Sequence, residues 1–187
     1  NNQYTIVAGS TWQEDEELLV NYINNNASED EKFIIAPHNI KSDAIVDLQK
    51  SINKKCVLFS EKADKNLKEY QVFIIDTIGI LTKIYAAADL AYVGGGLKTG
   101  LHNILEPATF GVPVIIGDKY DKFQEAIDLV KIGGCISIKN QEEFTENFIT
   151  LKNDANFRSL TGNINKKYIE DNLGATTIIM DYLNDKL

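Results

Sequence analysis

The chain is poor in the residues that build the simplest functional sites. Its 187 residues include two cysteines, two histidines, one tryptophan, one methionine and three prolines. Cys56 and Cys135 stand far apart, which excludes a disulfide framework and a paired-cysteine zinc site; a reducing compartment fits such usage. Of 19 basic residues only Arg158 is an arginine, and 27 acidic residues bring the net charge to -8. Nucleic-acid grooves draw most of their affinity from basic side chains on phosphates, so no nucleic-acid partner is expected. No apolar run nears the roughly 18–20 residues of a membrane span. The start, Asn1-Asn2-Gln3-Tyr4, is polar and unlike a signal peptide. It also has no initiator Met, so the chain is expected to be a piece of a longer one. There is no Asp-x-Asp pair, HExxH or G-x-S-x-G elbow, so neither a metal nor a cofactor is expected.

What is present is an ordinary globular composition, 44% hydrophobic and 25% charged. Short apolar, β-branched runs at 4–8, 32–36, 56–59, 72–75, 90–93, 114–116 and 135–138 predict strands buried on both faces. Helical patterns at 13–24, 43–52, 79–87, 104–110 and 122–130 alternate with them. Strand and helix in alternation predict a doubly wound, mostly parallel Rossmann-like α/β sheet with helices on both faces. From 141 to 187 only helices are expected, at 141–152, 156–172 and 175–187. In the last, Ile178, Ile179, Tyr182 and Leu183 fall on one stripe, which closes its own domain or packs on another. One domain is expected over 1–187.

Ligands of such sheets lie beyond the carboxyl ends of the strands. The loop Gly94-Gly95-Gly96-Leu97-Lys98-Thr99-Gly100-Leu101-His102-Asn103 is therefore the first candidate. Its glycines leave amides bare, and the helix expected near Asn103 points its N–H groups back at the loop, an arrangement suited to phosphate or carboxylate. A tight strand-to-helix turn would also account for glycines, but ten residues of glycine, lysine, histidine and asparagine are excessive for a turn. Asn103 and Glu106 are spaced as a capping box, or as a carboxylate that receives sugar hydroxyls. Gly9-Ser10-Thr11-Trp12 makes a similar junction. Ser10 and Thr11 either cap the next helix or reach a ligand, and Glu14, Asp15, Glu16 and Glu17 would repel an anion at that helix start. Pro37-His38 closes the second strand. Asp76-Thr77-Ile78-Gly79 closes the fourth, either as an Asp N-cap or as an edge that reads a base. Cys135, in an apolar strand, reads as core.

Ala91-Tyr92-Val93-Gly94-Gly95-Gly96, then His102-Asn103-Ile104-Leu105-Glu106-Pro107-Ala108, then Gly111-Val112-Pro113-Val114-Ile115-Ile116-Gly117 resembles the carboxyl-terminal half of the 3-deoxy-D-manno-octulosonic acid (Kdo) transferases. Gly9-Ser10-Thr11, Pro37-His38 and Asp76-Thr77-Ile78-Gly79 fall in the right order for it. The resemblance implies a GT-B glycosyltransferase that moves Kdo from CMP-Kdo to a lipid A precursor at the cytoplasmic side of the bacterial inner membrane. It implies inversion and no active-site metal. This chain would be the donor-binding half, soluble and inactive alone. The amino-terminal acceptor domain, with the general base and the membrane contact, would lie outside it.

By the same resemblance Glu106 holds the ribose hydroxyls, while Gly95, Gly96 and Asn103 hold the phosphate. Ile78 and Gly79 place the cytosine, and Ser10, Thr11, His38 and His102 line the cleft. The sequence departs from the family at Pro37 and Lys41, where arginines are common, at Ile80, where an acid is common, and at Lys122-Phe123, where Asn-Phe is common. Lys41, Lys98, Lys119 or Lys122 would then replace guanidinium forks. The alternatives are a GT-B domain for a UDP- or GDP-sugar and a non-catalytic nucleotide-binding module. The first is disfavoured because Phe110, four residues after Glu106, stands where such families place a second acid.

Overall fold

A computed structural model of the chain describes residues 3–186. Seven strands form one parallel sheet: β1 Tyr4–Thr11, β2 Glu31–Pro37, β3 Cys56–Leu58, β4 Val72–Ile74, β5 Leu90–Val93, β6 Val114–Gly117 and β7 Cys135–Ile138. Their order is β3-β4-β2-β1-β5-β6-β7. From β1 the chain passes to β2, then to β3 at the edge and back to β4 between them, before it crosses to β5 on the other side of β1. The reversal of direction between β1 and β5 opens a crevice at their carboxyl ends.

The apolar runs are strands because alternate residues feed two cores. Ile6, Ala8, Tyr92 and Ile115 point to one face, where they meet Leu19, Tyr22, Phe144 and Phe148. Val7, Ala91, Val93, Val114 and Ile116 point to the other, against Tyr85, Ile104, Ala126 and Leu129. Every residue of β5 and β6 is buried, so their sequences are apolar throughout. Cys135 lies in the second core, as its apolar surroundings predict, and burial pushes its thiol up to about 12.

The helices on the first face are α1 Gln13–Asn25, α2 Ser42–Ser51 and, later in the chain, Gln141–Asn153. Between them come two single turns, α3 Leu81–Ile84 and α4 Leu105–Ala108, and then α5 Gln124–Ile132. The helix Gln141–Asn153 is α6, followed by α7 Ala155–Asp171 and α8 Ala175–Asn184. α6 and α7 start where Asn140 and Asp154 accept the backbone N–H groups of Glu143 and Phe157. α5 stops at Gly133, whose left-handed φ of 87° suits glycine.

Two predicted helices shrink. The segment 79–87 holds only α3, because Gly79 has a φ of +88° and the chain tightens again at Tyr85. The segment 104–110 holds only α4, which ends before the left-handed Gly111. In α8 the side chains of Ile179, Tyr182 and Leu183 are exposed. The side chain of Ile178, and Leu187, expected to share and end that helix, lie outside the described residues. No described helix is long and apolar enough to cross a membrane.

Candidate functional site

Beyond β1 and β5 lies a cleft of about 280 Å³. Ser10, Gly79, His102, Asn103 and Glu106 line it, together with Leu81, Thr82 and Tyr85. The first five are residues singled out from the sequence, drawn from three separate loops. Parallel pairing of Gly9 with Val93 sets the first and third loops side by side, and Gly94 N–H donates to the Gly9 carbonyl at 3.0 Å. A larger cavity of about 390 Å³ lies between α1 and α2, but Glu16, Glu17 and Asp47 on its walls make it hostile to anions.

Ser10 reaches the cleft through a break in β1. The register with β2 slips between Gly9 and Thr11, and Ser10 takes a left-handed φ of 53°. A non-glycine residue pays a steric penalty there, which the surrounding loops must hold. Thr11, expected beside it, turns inward. Its side chain is buried and its hydroxyl donates to Glu16 at 3.0 Å.

The glycine loop departs from expectation. About half of its amides, Gly95 among them, are engaged inside the protein rather than bare. Gly95 N–H donates to the Asp15 carboxylate at 2.9 Å. Lys98 and Gly100 N–H groups both donate to the Gly95 carbonyl, and His102 N–H to that of Gly94. The glycines are required because backbones meet closely. A Cβ on Gly94 would strike the Ser10 carbonyl, one on Gly95 the Gly100 carbonyl, and one on Gly96 the backbone of Gly117. Gly95 and Gly96 are buried and do not line the cleft. The helix expected at Asn103 is only the single turn α4, too short to aim a row of free N–H groups.

Asp15 is the pin of this corner. It is fully buried and accepts hydrogen bonds from Tyr92 hydroxyl at 2.6 Å, Gly95 N–H and Trp12 N–H at 2.9 Å. In sequence it looked like one of four acids crowding a helix start. The structure disperses them: Glu14 pairs with Lys98 at 2.6 Å, and Glu16 takes Thr11.

Glu106 makes a different arrangement from a capping box. One carboxylate oxygen accepts from Thr82 hydroxyl at 3.0 Å, the other from Asn103 amide at 3.3 Å. Asn103 in turn accepts Leu105 N–H at 3.0 Å. Each Glu106 oxygen keeps a lone pair toward the cleft. Thr82 and Tyr85 escaped the sequence reading because they fell within an ordinary helical pattern. Asp76 is no helix cap; it accepts from the Ser60 backbone and hydroxyl. Ile78 stands almost wholly exposed on the loop leading to Gly79.

His38 sits at the rim, stacked on both Trp12 and His102 with ring centres 4.5 Å apart in each case. The Trp12 and His102 ring planes lie within 13° of parallel, and the indole N–H donates to His102 Nε2 at 3.0 Å. Burial, helped by His38, holds the His102 imidazole below its ordinary 6.5, with Asp15 opposing. Among the described residues no group of three or more His, Cys, Asp or Glu side chains is placed to hold a metal ion.

No family model matches the chain. It is 30% identical over 160 residues to the 3-deoxy-D-manno-octulosonic acid transferase of Haemophilus influenzae, a match covering 83% of this chain and 37% of that protein. To the transferase of the same description from Rickettsia conorii it is 29% identical over 190 residues, covering 98% and 40%. Among solved structures, the C-terminal CMP-Kdo binding domain of WaaA from Acinetobacter baumannii superposes with a TM-score of 0.79 at 22% identity, covering 90% of each chain. That likeness is one of fold, and it is the GT-B carboxyl-terminal fold expected. The chain spans less than half the length of the two curated relatives.

Proposed function

We propose that this chain, a relative of the carboxyl-terminal part of the Kdo transferases, is the donor-binding half of a glycosyltransferase moving Kdo from CMP-Kdo to a lipid A precursor in lipopolysaccharide biosynthesis. The observation that carries this reading is the convergence of Ser10, Gly79, His102, Asn103 and Glu106 on one cleft where β1 and β5 lie side by side.

The chemistry of the cleft suits a nucleotide. Glu106, held by Thr82 and Asn103, receives the two pentose hydroxyls on its remaining lone pairs. Ser10, His102 and Asn103 supply donors for the phosphate. Gly95 and Gly96 serve it indirectly, by letting the loop fold back so that His102 and Asn103 face the cleft. The Ile78-Gly79 segment presents the backbone edge for cytosine. His38 closes the rim, and Thr11 braces the wall from behind.

The full-length enzyme on this reading inverts the anomeric centre without a metal. An amino-terminal domain outside this chain supplies the general base, the lipid A precursor site and the attachment to the cytoplasmic side of the inner membrane. This chain alone would bind donor without turnover. Calorimetric titration with CMP, UMP and GMP tests the proposal. Preference for CMP is expected; preference for UMP or GMP would point to another sugar nucleotide, and turnover by this chain alone would overturn the division of labour.

A further inference from the structure

We infer that Trp12 is a positioning residue for the nucleotide: its indole N–H holds His102 as the neutral tautomer with the proton on Nδ1, so that the imidazole offers the ligand an uncharged donor. This rests on the reading of the cleft as a nucleotide site.

The geometry leaves little choice of proton position. An indole N–H only donates, so His102 Nε2, 3.0 Å away, must carry a lone pair and not a proton. A neutral imidazole with an accepting Nε2 carries its hydrogen on Nδ1. That second N–H has no acceptor among the described residues, and His102 lines the cleft. The ring cannot swing away easily. His38 lies across both the indole and the imidazole, and His102 N–H is tied to the Gly94 carbonyl.

The surroundings also favour the neutral ring. The titratable groups about His102 are His38 stacked on it, Asp15 behind Gly95, and Tyr85 and Glu106 in the same cleft. Asp15 would draw a proton toward His102, but its carboxylate is already spent on Tyr92, Gly95 and Trp12 N–H. Trp12 therefore acts twice on this corner, through its backbone on Asp15 and through its ring on His102. A charged His102 would have to give up the indole bond, since both its nitrogens would then donate.

The test begins on the wild-type chain without ligand, labelled with nitrogen-15 on histidine. Long-range proton–nitrogen spectra near pH 7 should show His102 with a lone pair on Nε2 and hydrogen on Nδ1. Trp12→Phe keeps a ring for His38 to stack on but removes the donor. It should release hydrogen to Nε2, raise the pH at which His102 titrates, and weaken CMP binding about three- to tenfold, the loss of one oriented hydrogen bond. Hydrogen on Nε2 of wild-type His102 overturns the inference whatever the variant does. Wild-type CMP binding that is matched by Trp12→Phe overturns it too, while leaving the nucleotide reading intact. A chain with the expected tautomer but no affinity for CMP sinks the nucleotide reading and the inference with it.

Discussion

Glu31 and Glu106 are carboxylates at opposite ends of the same parallel sheet, and their surroundings differ in depth and in the number of donors. Glu31 opens β2 and is fully buried. It accepts from Tyr22 hydroxyl at 2.8 Å, from Ser28 N–H and hydroxyl at 2.8 and 2.7 Å, and faces Lys152 at 3.1 Å. Glu106 lies past the other end of the strands, half-buried, with one side-chain donor on each oxygen. Three of the donors on the first crowd one oxygen, and with its side chain 2% exposed nothing outside the fold can reach the other. The second is aimed and steadied, yet still has lone pairs to give. A carboxylate tells of function when it is steadied by donors and its spare lone pairs can still be reached from outside.

Four substitutions or conditions can break that contrast, and one should leave it untouched. Glu31→Ala takes the buried acceptor from Tyr22 hydroxyl and Ser28 N–H and leaves Lys152 with the Asp30 carboxylate alone, and should cost about 3 kcal/mol or more in urea unfolding. CMP affinity of the folded fraction should stay as it was; a specific loss of affinity would show that the two ends are coupled. Asp15→Ala should cost about 2 kcal/mol, because three donors lose a buried acceptor. Unlike the first, it should also weaken CMP, since Gly95 and Trp12 both come loose.

Glu106→Ala should lower CMP affinity about tenfold, the worth of hydrogen bonds to a charged group, with unfolding free energy within about 0.5 kcal/mol of wild type. A loss of about 1 kcal/mol in stability with affinity unchanged would make Glu106 an architectural residue like Glu31.

Smaller is the effect of pH. His102 is held below its ordinary 6.5 by burial and by His38. Between that pH and its lower folded value, the unfolded chain binds a proton that the folded chain refuses. The contribution of neutral His102 is thus complete above about pH 6.5 and fades as pH falls through the window. Glu16, raised by burial, works in the opposite sense from pH 4.5 upward. Asp30, held down by hydrogen bonds from Ser28 and Lys152, acts only below 3.8. Comparing wild type with Trp12→Phe at pH 7 and pH 5.5 isolates the His102 part; equal slopes would show that the indole bond does not set it. Least of all, magnesium should leave CMP affinity unchanged, because Glu106 is the one carboxylate among the described residues lining the cleft. Loss of binding on adding a chelator would refute this.

Much of the architecture was legible in advance. Strands such as Leu90–Val93 and Cys135–Ile138 match their predicted limits. The first is buried throughout, as its consecutive apolar residues predict for a doubly covered sheet, while in the second, at the sheet edge, Ile136 and Ser137 are only half-buried. Longer helices were legible for a similar reason: Leu19, Tyr22 and Ile23 repeat at the spacing of one buried helical face. Single turns were not. Helical periodicity over 79–87 says nothing of the left-handed Gly79 or of the tightening at Tyr85, which packing decides. Within the site, Glu106 and His102 stood out by their place in the loop, while Asp15 hid among like-charged neighbours and Thr82 in an ordinary helical stretch.

Composition and periodicity alone determined the alternation of strand and helix, the parallel sheet that follows from it, and hence the end at which a ligand could enter. The three-dimensional arrangement decided which polar groups near that entrance remain available. Gly95 N–H is taken by Asp15 and Glu106 is steadied by Thr82, pairings that join residues 80 and 24 positions apart. Backbone periodicity is a local property, set by neighbours along the chain. Hydrogen-bond partnership is settled only when distant loops meet, so the same glycine looked like an open donor in one dimension and proved to be engaged in three.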